Sequence, residues 1–309
     1  MTINHINDLS LEDLRVYFRV MSEQLNRAGQ RDVFSRQIYL HAYGGLGNQL
    51  FQAAFAIVMG ERLGADVNFL TISYRDDKLR PFLLHMFPGV RARIVPADDA
   101  LGSSVFEENM VRHLPLELLI ATISDAMESN KRVYFSGFWQ DERYFSDRRP
   151  VIRELLRPEV SSPVEEEAKR IQDGEAIGLH VRRHGYGHMG LVRLSYYLEA
   201  IRNIRQERGD IPVMCFTDDP SFCQYVFRGV KDFSVADNGN TYNPIENFHI
   251  LSSCRHHIIA NSSFSWWAAW LSERSDSIVY APYPWIIPDT NTNPVPQRWR
   301  RIPDAIQAP

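Results

Sequence analysis

Cysteine is scarce in this sequence. There are three among 309 residues, Cys215, Cys223 and Cys254, and none sits at metal-ligand spacing. That excludes a disulfide framework and a zinc ribbon, and it predicts reduced structural thiols in a cytoplasmic setting. Long apolar runs are missing too. No stretch approaches ~18 uninterrupted apolar residues, so no transmembrane segment is expected. Charge of one sign is not in excess. The formal net charge is −4, which gives no global attraction to nucleic acid or to an anionic surface. Met1 to Ser10 is polar and contains Asp8, unlike a signal peptide. Internal repeats and low-complexity tracts are lacking, and nothing in the sequence fixes an oligomeric state. What is present is a globular composition, 44% hydrophobic and 23% charged. The length suggests two domains or one large one.

Residues 9–28 carry Leu11, Leu14, Tyr17, Phe18, Met21 and Leu25 at helical spacing, so 1–36 reads as a helical appendage. From Gln37 a strand (Ile38 to Leu40), a glycine loop, a helix (Leu50 to Leu63) and a strand (Ala65 to Leu70) make a βαβ unit. Residues 71–130 yield one helix, Leu114 to Met127, and Arg132 to Phe135 reads as a strand. The polar stretch 147–165, with Pro150, Pro158 and Pro163, marks a joint between domains 37–150 and 151–309. Strands are expected at Ala176–Val181, Val213–Thr217, His257–Ala260 and Ser277–Tyr280. Helices are expected at Ser195–Arg208, Ser221–Phe227, Pro244–Cys254 and Ser265–Ser272. The proline-rich tail from Pro282 to Pro296 reads as an extended wrap. The fold class is therefore α/β, with two Rossmann-like domains.

Four constellations carry chemistry. Gly45 and Gly47, between a strand and a helix, let backbone approach a ligand, with helix N–H groups ready for an anion. Asn48 and Gln49 follow and favour a polar ligand. A dinucleotide fingerprint would need a third glycine where Leu50 stands; Asp66 keeps a nicotinamide oxidoreductase open as an alternative. His180-Val181-Arg182-Arg183 ends a buried strand, where open α/β sheets bind ligands. An arginine there can clamp a diphosphate by bidentate bonds. A salt bridge at the strand end is the plainer alternative. Phe216-Thr217-Asp218-Asp219-Pro220 follows another strand. Its acids suit metal, acid–base or helix-capping roles. Finally, Asn261-Ser262-Ser263-Phe264-Ser265-Trp266-Trp267-Ala268-Ala269-Trp270 runs from a strand into a hydroxyl-rich helix start, a natural seat for phosphate oxygens. Most of those tryptophans read as core, with Trp267 the candidate ligand wall.

Together these elements resemble the α-1,2-fucosyltransferase family, especially its bacterial members. Gly44 to Gln52 is similar to its N-terminal motif, His180 to Arg183 to the start of its HxRR motif, and Phe216 to Asp219 to its second motif. Cys254 to Leu271 is similar to its long third motif. The resemblance runs from about Leu40 to Trp285. It implies a GT-B architecture, two domains facing a cleft, and inverting transfer from GDP-fucose to a glycan acceptor. It implies no metal and no cofactor beyond the donor. On that reading Arg182 binds the diphosphate and stabilises departing GDP. His180 lies near guanosine, with Asp218, Asn261 and Phe264 among the nucleotide-sugar contacts. Ser262 and Ser263 meet phosphate or ribose, and Gly45, Gly47, Asn48 and Gln49 reach the donor from the other domain.

The chain departs from the family twice. The pattern HVRRGD is here followed through His184-Gly185-Tyr186, without the aspartate. The aspartate expected five residues before Ser252, a partner for guanine, is Asn247, with Glu246 beside it. An amide offers one acceptor oxygen where a carboxylate offers two. Candidates for a general base are His184, His188, Asp141 and Glu142. A fucosyltransferase of another linkage, and a nucleotide binder without transfer, remain alternatives.

Overall fold

The computed structural model describes residues 35–307, apart from 76, 78, 79, 98, 99, 101, 185–189, 237–242 and 287–292. The expected helix at 9–28 lies outside the described residues. The chain divides into two compact units, one ending at Arg157 and the other beginning at Pro158.

The first unit is a parallel sheet whose two long helices pack against one another on it. Its strands are β1 (Arg36–His41), β2 (Ala65–Leu70), β3 (Ile94–Ala97), β4 (Ser104–Glu107) and β5 (Arg132–Ser136), in the order β3-β2-β1-β5-β4. All pairings are parallel. Helix α1 (Leu46–Leu63) stops at Gly64, whose left-handed φ of 59° suits a residue without Cβ. Helix α2 (Leu116–Asn130) lies against α1. Alternation along the strands sends Ile38, Leu40, Val67, Phe69, Val133 and Phe135 to the helical face, where all are buried. Phe55 of α1 stacks on Trp139 at 3.9 Å between ring centroids and meets Phe135 edge-on at 5.0 Å. Truncating a phenylalanine so placed costs ~3–5 kcal/mol.

Helix α3 (Arg149–Leu155) closes this unit, and α4 (Ser162–Asp173) opens the next. The expected joint at 147–165 is therefore largely helical. Pro150 and Pro163 sit in the first turns of these helices, where a missing N–H costs nothing, so they mark helix starts rather than a linker.

The second unit holds β6 (Ile177–Val181), β7 (Leu191–Val192), β8 (Val213–Thr217), β9 (Phe233–Val235), β10 (His256–Ile258), β11 (Val279–Pro282), β12 (Arg300–Ile302) and β13 (Ile306–Gln307). Six of them form a sheet in the order β12-β11-β10-β6-β8-β9, parallel throughout, while β13 and β7 pair antiparallel. Besides α4, its helices are α5 (Leu194–Arg208), α6 (Pro220–Val226), α7 (Pro244–Leu251) and α8 (Ser263–Ser272). Every residue of β6 is buried, as suits a central parallel strand. Gly178 gives that strand room; a Cβ there would stand 2.7 Å from Leu251 Cδ1 of α7. The short strands β9, β12 and β13 carry too few residues for alternation to announce them. At the amino end of the sheet Arg255 binds Asp276 at 3.0 Å, and Glu175 lies 3.3 Å from His256 and 3.6 Å from Arg208. Among the described residues no helix is long and apolar enough to cross a membrane.

Candidate functional site

The order of the second sheet fixes where its ligand belongs. Connections run from β6 outward through β8 to β9 on one side and from β10 through β11 to β12 on the other. The switch point lies between β6 and β10, and the crevice beyond their carboxyl ends is the binding position in such sheets. β6 delivers Arg182 and Arg183 there, β8 delivers Asp218 and Asp219, and β10 leads through Asn261 and Ser262 into α8. Three of the four sequence constellations thus share one rim.

Asp218 organises the rim. One carboxylate oxygen accepts the Arg183 N–H at 2.9 Å. The other accepts the His184 N–H at 3.0 Å and faces Arg182 Nε at 3.2 Å. The geometry makes Asp218 a clamp on the arginine and on the chain leaving β6. Arg182 keeps a side chain 41% exposed. Asp219 performs the capping role: Oδ1 accepts the Phe222 N–H at 3.1 Å at the start of α6. Its Oδ2 holds Arg183 Nε at 3.2 Å, and that guanidinium lies over the Phe222 ring at 3.6 Å. The two arginine side chains are similarly exposed, 41% for Arg182 and 36% for Arg183.

Across the switch point, His180 Nδ1 meets Ser265 Oγ at 2.9 Å, and this bond ties β6 to the first turn of α8. His180 is buried, and its pKa is lowered to about 3 by desolvation first and by the Arg182 charge second. It is a neutral imidazole that fixes the helix start, with Phe264 5.4 Å away. Ser262 is the N-cap of α8 and its side chain makes no capping bond. The first-turn N–H groups of a helix lack internal partners, and here they open on the arginine's rim. Ser263 and Phe264 are partly exposed, whereas Ser262 and Asn261 are buried. Asn261 donates from Nδ2 to Gly190 O at 3.1 Å, while its Oδ1 is buried without a hydrogen-bond partner.

One expectation falls away here. Trp267 is not a ligand wall. It is fully buried, 5.0 Å from Trp266 and 5.4 Å from Trp270, because the apolar side chains of α8 turn into the core. Glu246, beside Asn247, takes part in the cap of its own helix. Its carboxylate accepts the Asn243 N–H at 3.1 Å while Asn243 Oδ1 accepts the N–H groups of Ile245 and Glu246, a reciprocal capping box. Asn247, half-buried on α7, is left as the polar side chain at that point.

The first unit has its own switch point beside β1, again at a carboxyl rim. Gly44 has φ +86°, and a Cβ there would lie 2.6 Å from Asn48 Nδ2. Gly45 is different. It is the N-cap of α1 at φ −74°, and a Cβ would meet nothing within 4 Å. Gly47 is buried in the first turn. Asn48 Oδ1 accepts from Gln140 Nε2 at 2.8 Å. Gln49 is wholly buried and engaged within the fold. It donates to Gly44 O and Pro81 O and accepts from Leu83 N, so it shapes the loop rather than reaching a ligand. The sequence reading missed Glu108. Its Oε2 accepts the N–H groups of Phe138 and Trp139, both at 2.8 Å, and thereby shapes the segment that carries Gln140. No motif surrounds Glu108, so only the fold could find it.

Of the base candidates, His184 is exposed, with Nδ1 3.6 Å from Asp218. Asp141 caps a short turn by accepting the Arg143 N–H at 2.9 Å, and desolvation raises its pKa. Glu142 lies in that turn. His188 lies outside the described residues. Among the described residues no cluster of three His, Cys, Asp or Glu could hold a metal.

These features define a class: a two-unit, GT-B-like α/β protein with two aspartate-paired arginines at the switch point of its second sheet. The chain belongs to glycosyl transferase family 11, whose family model matches residues 41–293, and it is a glycosyltransferase. It is 28% identical over 290 residues to an alpha-1,2-colitosyltransferase of Escherichia coli, covering 84% of this chain and 96% of that one. It is 26% identical over 289 residues to galactoside alpha-(1,2)-fucosyltransferase 2 of Rattus norvegicus, covering 87% and 74%. Among solved structures, NodZ alpha-1,6-fucosyltransferase co-crystallized with GDP matches with a TM-score of 0.50 and 17% identity, over 80% of this chain and 96% of that one, a likeness of fold.

Proposed function

We propose that the protein transfers fucose from GDP-fucose to a galactose hydroxyl of a glycan, forming an α-1,2 linkage with inversion and without a metal ion. The observation that carries this reading is Arg182, held by Asp218 at the switch point beside the start of α8. A guanidinium and a set of helix N–H groups on one rim suit a diphosphate. In the transfer, the bond between the anomeric carbon and the phosphate oxygen breaks while the acceptor oxygen bonds the opposite face. Charge grows on the departing GDP, and Arg182 offsets it. The acceptor proton passes to a base, for which His184, Asp141 and Glu142 are candidates. The α-1,2 linkage is supported by the names of the relatives. The donor and the inversion follow from the motif pattern.

The test is transfer to a panel of galactosides with GDP-fucose, with linkage analysis of the product. A colitosyl donor and NAD serve as the competing arms. Arg182→Ala should lose ~100-fold or more in transfer rate, as for removal of one charge stabiliser. Near-normal transfer by that variant removes the assigned role. Full activity in excess chelator is expected; dependence on added divalent metal refutes the metal-free mechanism.

A further inference from the structure

We propose that Tyr43 and Phe138 form a platform on which a sugar ring of the acceptor stacks, with Gln140 taking one of its hydroxyls. The inference rests on the glycan acceptor of the proposed function and adds where the first unit holds it. β1 and β5 are neighbours, and the chain leaves their carboxyl ends through Ala42-Tyr43-Gly44 and Gly137-Phe138-Trp139-Gln140. The Tyr43 and Phe138 rings meet there at 4.5 Å between centroids, tilted by 42°, and both are half-buried. Buried polar bonds hold the two segments. Gln52 of α1, wholly buried, joins them: its Nε2 donates to Gly137 O at 3.0 Å and to His41 O at 3.3 Å, and its Oε1 accepts the Tyr43 N–H at 3.4 Å. Glu108 holds the second segment by the N–H groups of Phe138 and Trp139.

Trp139 takes φ +58°, a left-handed backbone that a bulky residue rarely adopts. Its ring is fully buried on Phe55, while Phe138 before it and Gln140 after it stay half-buried. The strained turn thus separates an aromatic side chain that serves the core from one that the core does not take. Strain of this kind collects at ligand sites, where surrounding bonds over-determine it. The chemistry then selects the ligand. A pyranose has an apolar face of C–H groups ringed by hydroxyls, and it is matched by partly exposed aromatic rings with a few polar groups beside them. Gln140 donates from Nε2 to Asn48 at 2.8 Å, and its carbonyl oxygen suits a sugar hydroxyl. Desolvation first and the Glu108 carboxylate second raise the Tyr43 pKa. The charge beside the platform is negative, which suits a neutral sugar and disfavours a phosphate. Asp141 and Glu142, candidates to take the acceptor proton, follow Gln140 directly.

The test reads binding of methyl β-galactoside and lactose by the full chain, with and without GDP, by saturation-transfer NMR and so without any transfer step. Phe138→Leu keeps an apolar side chain and removes the ring; it should weaken galactoside binding ~5-fold or more. Phe138→Tyr should restore it. Tyr43→Leu repeats the test from the other ring and serves if Phe138→Leu does not fold, which thermal melting of each variant checks. Tyr225→Ala, which removes an exposed aromatic ring from α6 of the second unit, should leave galactoside binding unchanged. GDP affinity, read by thermal shift, should be unchanged in every variant. Galactoside binding that depends on Phe138 supports the platform even where GDP-fucose proves not to be the donor, so the two readings fail separately. Unchanged galactoside affinity in the ring-less variants, no galactoside binding by the parent, or equal loss of galactoside and GDP affinity overturns the proposal.

Discussion

The two adjacent glycines of the first unit separate a folding requirement from a ligand requirement. Gly44 has φ +86°, and a Cβ there would sit 2.6 Å from Asn48 Nδ2 and 3.2 Å from the Phe138 ring. An alanine pays a left-handed backbone cost of ~1–2 kcal/mol before any repacking. Gly44→Ala should therefore lose ~2–3 kcal/mol of stability once overpacking is added. Gly45 has φ −74° and ψ 176°, which any residue adopts, and a Cβ there meets nothing within 4 Å. At an N-cap, alanine is modestly worse than glycine, while reduced freedom of the unfolded chain offsets part of that. Gly45→Ala should fold within ~1 kcal/mol of the parent. If the open space admits substrate, the methyl group still crowds the ligand. A crowding cost of ~1.4 kcal/mol already lowers kcat/KM ~10-fold. Urea denaturation and steady-state transfer on the same samples give both quantities. Full activity with Gly45→Ala refutes the reasoning, and so does a loss of stability as large as that of Gly44→Ala.

Asp218→Asn should lower kcat ~10-fold or more with a smaller change in donor KM, because the amide still accepts one backbone N–H but no longer offsets the Arg182 charge; equal loss in both constants refutes a positioning role. Histidine burial sets an acid limit on stability. His180 is lowered to about 3 and His257 to about 4, chiefly by desolvation, so the unfolded chain binds protons near pH 6.5 that the native one refuses. Their contribution is complete above pH 6.5 and is lost as pH falls from there toward 4, with a slope of up to ~1.4 kcal/mol per pH unit for each histidine. His257→Gln should flatten that slope in pH-dependent melts, and an unchanged slope counts against the assignment.

Much of this architecture was legible because parallel sheets write themselves plainly. β6 and β8 are continuous apolar runs, and each ends in residues too polar to be buried unpaired, His180 to Arg183 and Thr217 to Asp219. The glycine pair before α1 and the Ser262-Ser263 start of α8 were readable for the same reason. What escaped was of two kinds. The short edge strands β9 and β12 are only three residues long, and their pairing is decided by neighbours distant in the chain. Partner choice was the other. Asp218, Glu246 and Gln49 were recognised as polar residues near a site. Their actual bonds, to a backbone loop, to a helix cap and to Pro81 and Leu83, depend on contacts that spacing does not encode. Trp267 misled because a run of aromatic residues looks the same facing core or ligand.

The second unit keeps its two ends apart. Its carboxyl rim holds Arg182, Asp218 and the start of α8, while its amino rim holds the ionic lattice of Arg208, Glu175, His256, Arg255 and Asp276. A strand of five residues separates them, ~17 Å of rigid, buried backbone. Changes that far apart with no shared partner combine additively. A substitution at one rim therefore leaves the bonds of the other undisturbed, and the two ends can vary independently.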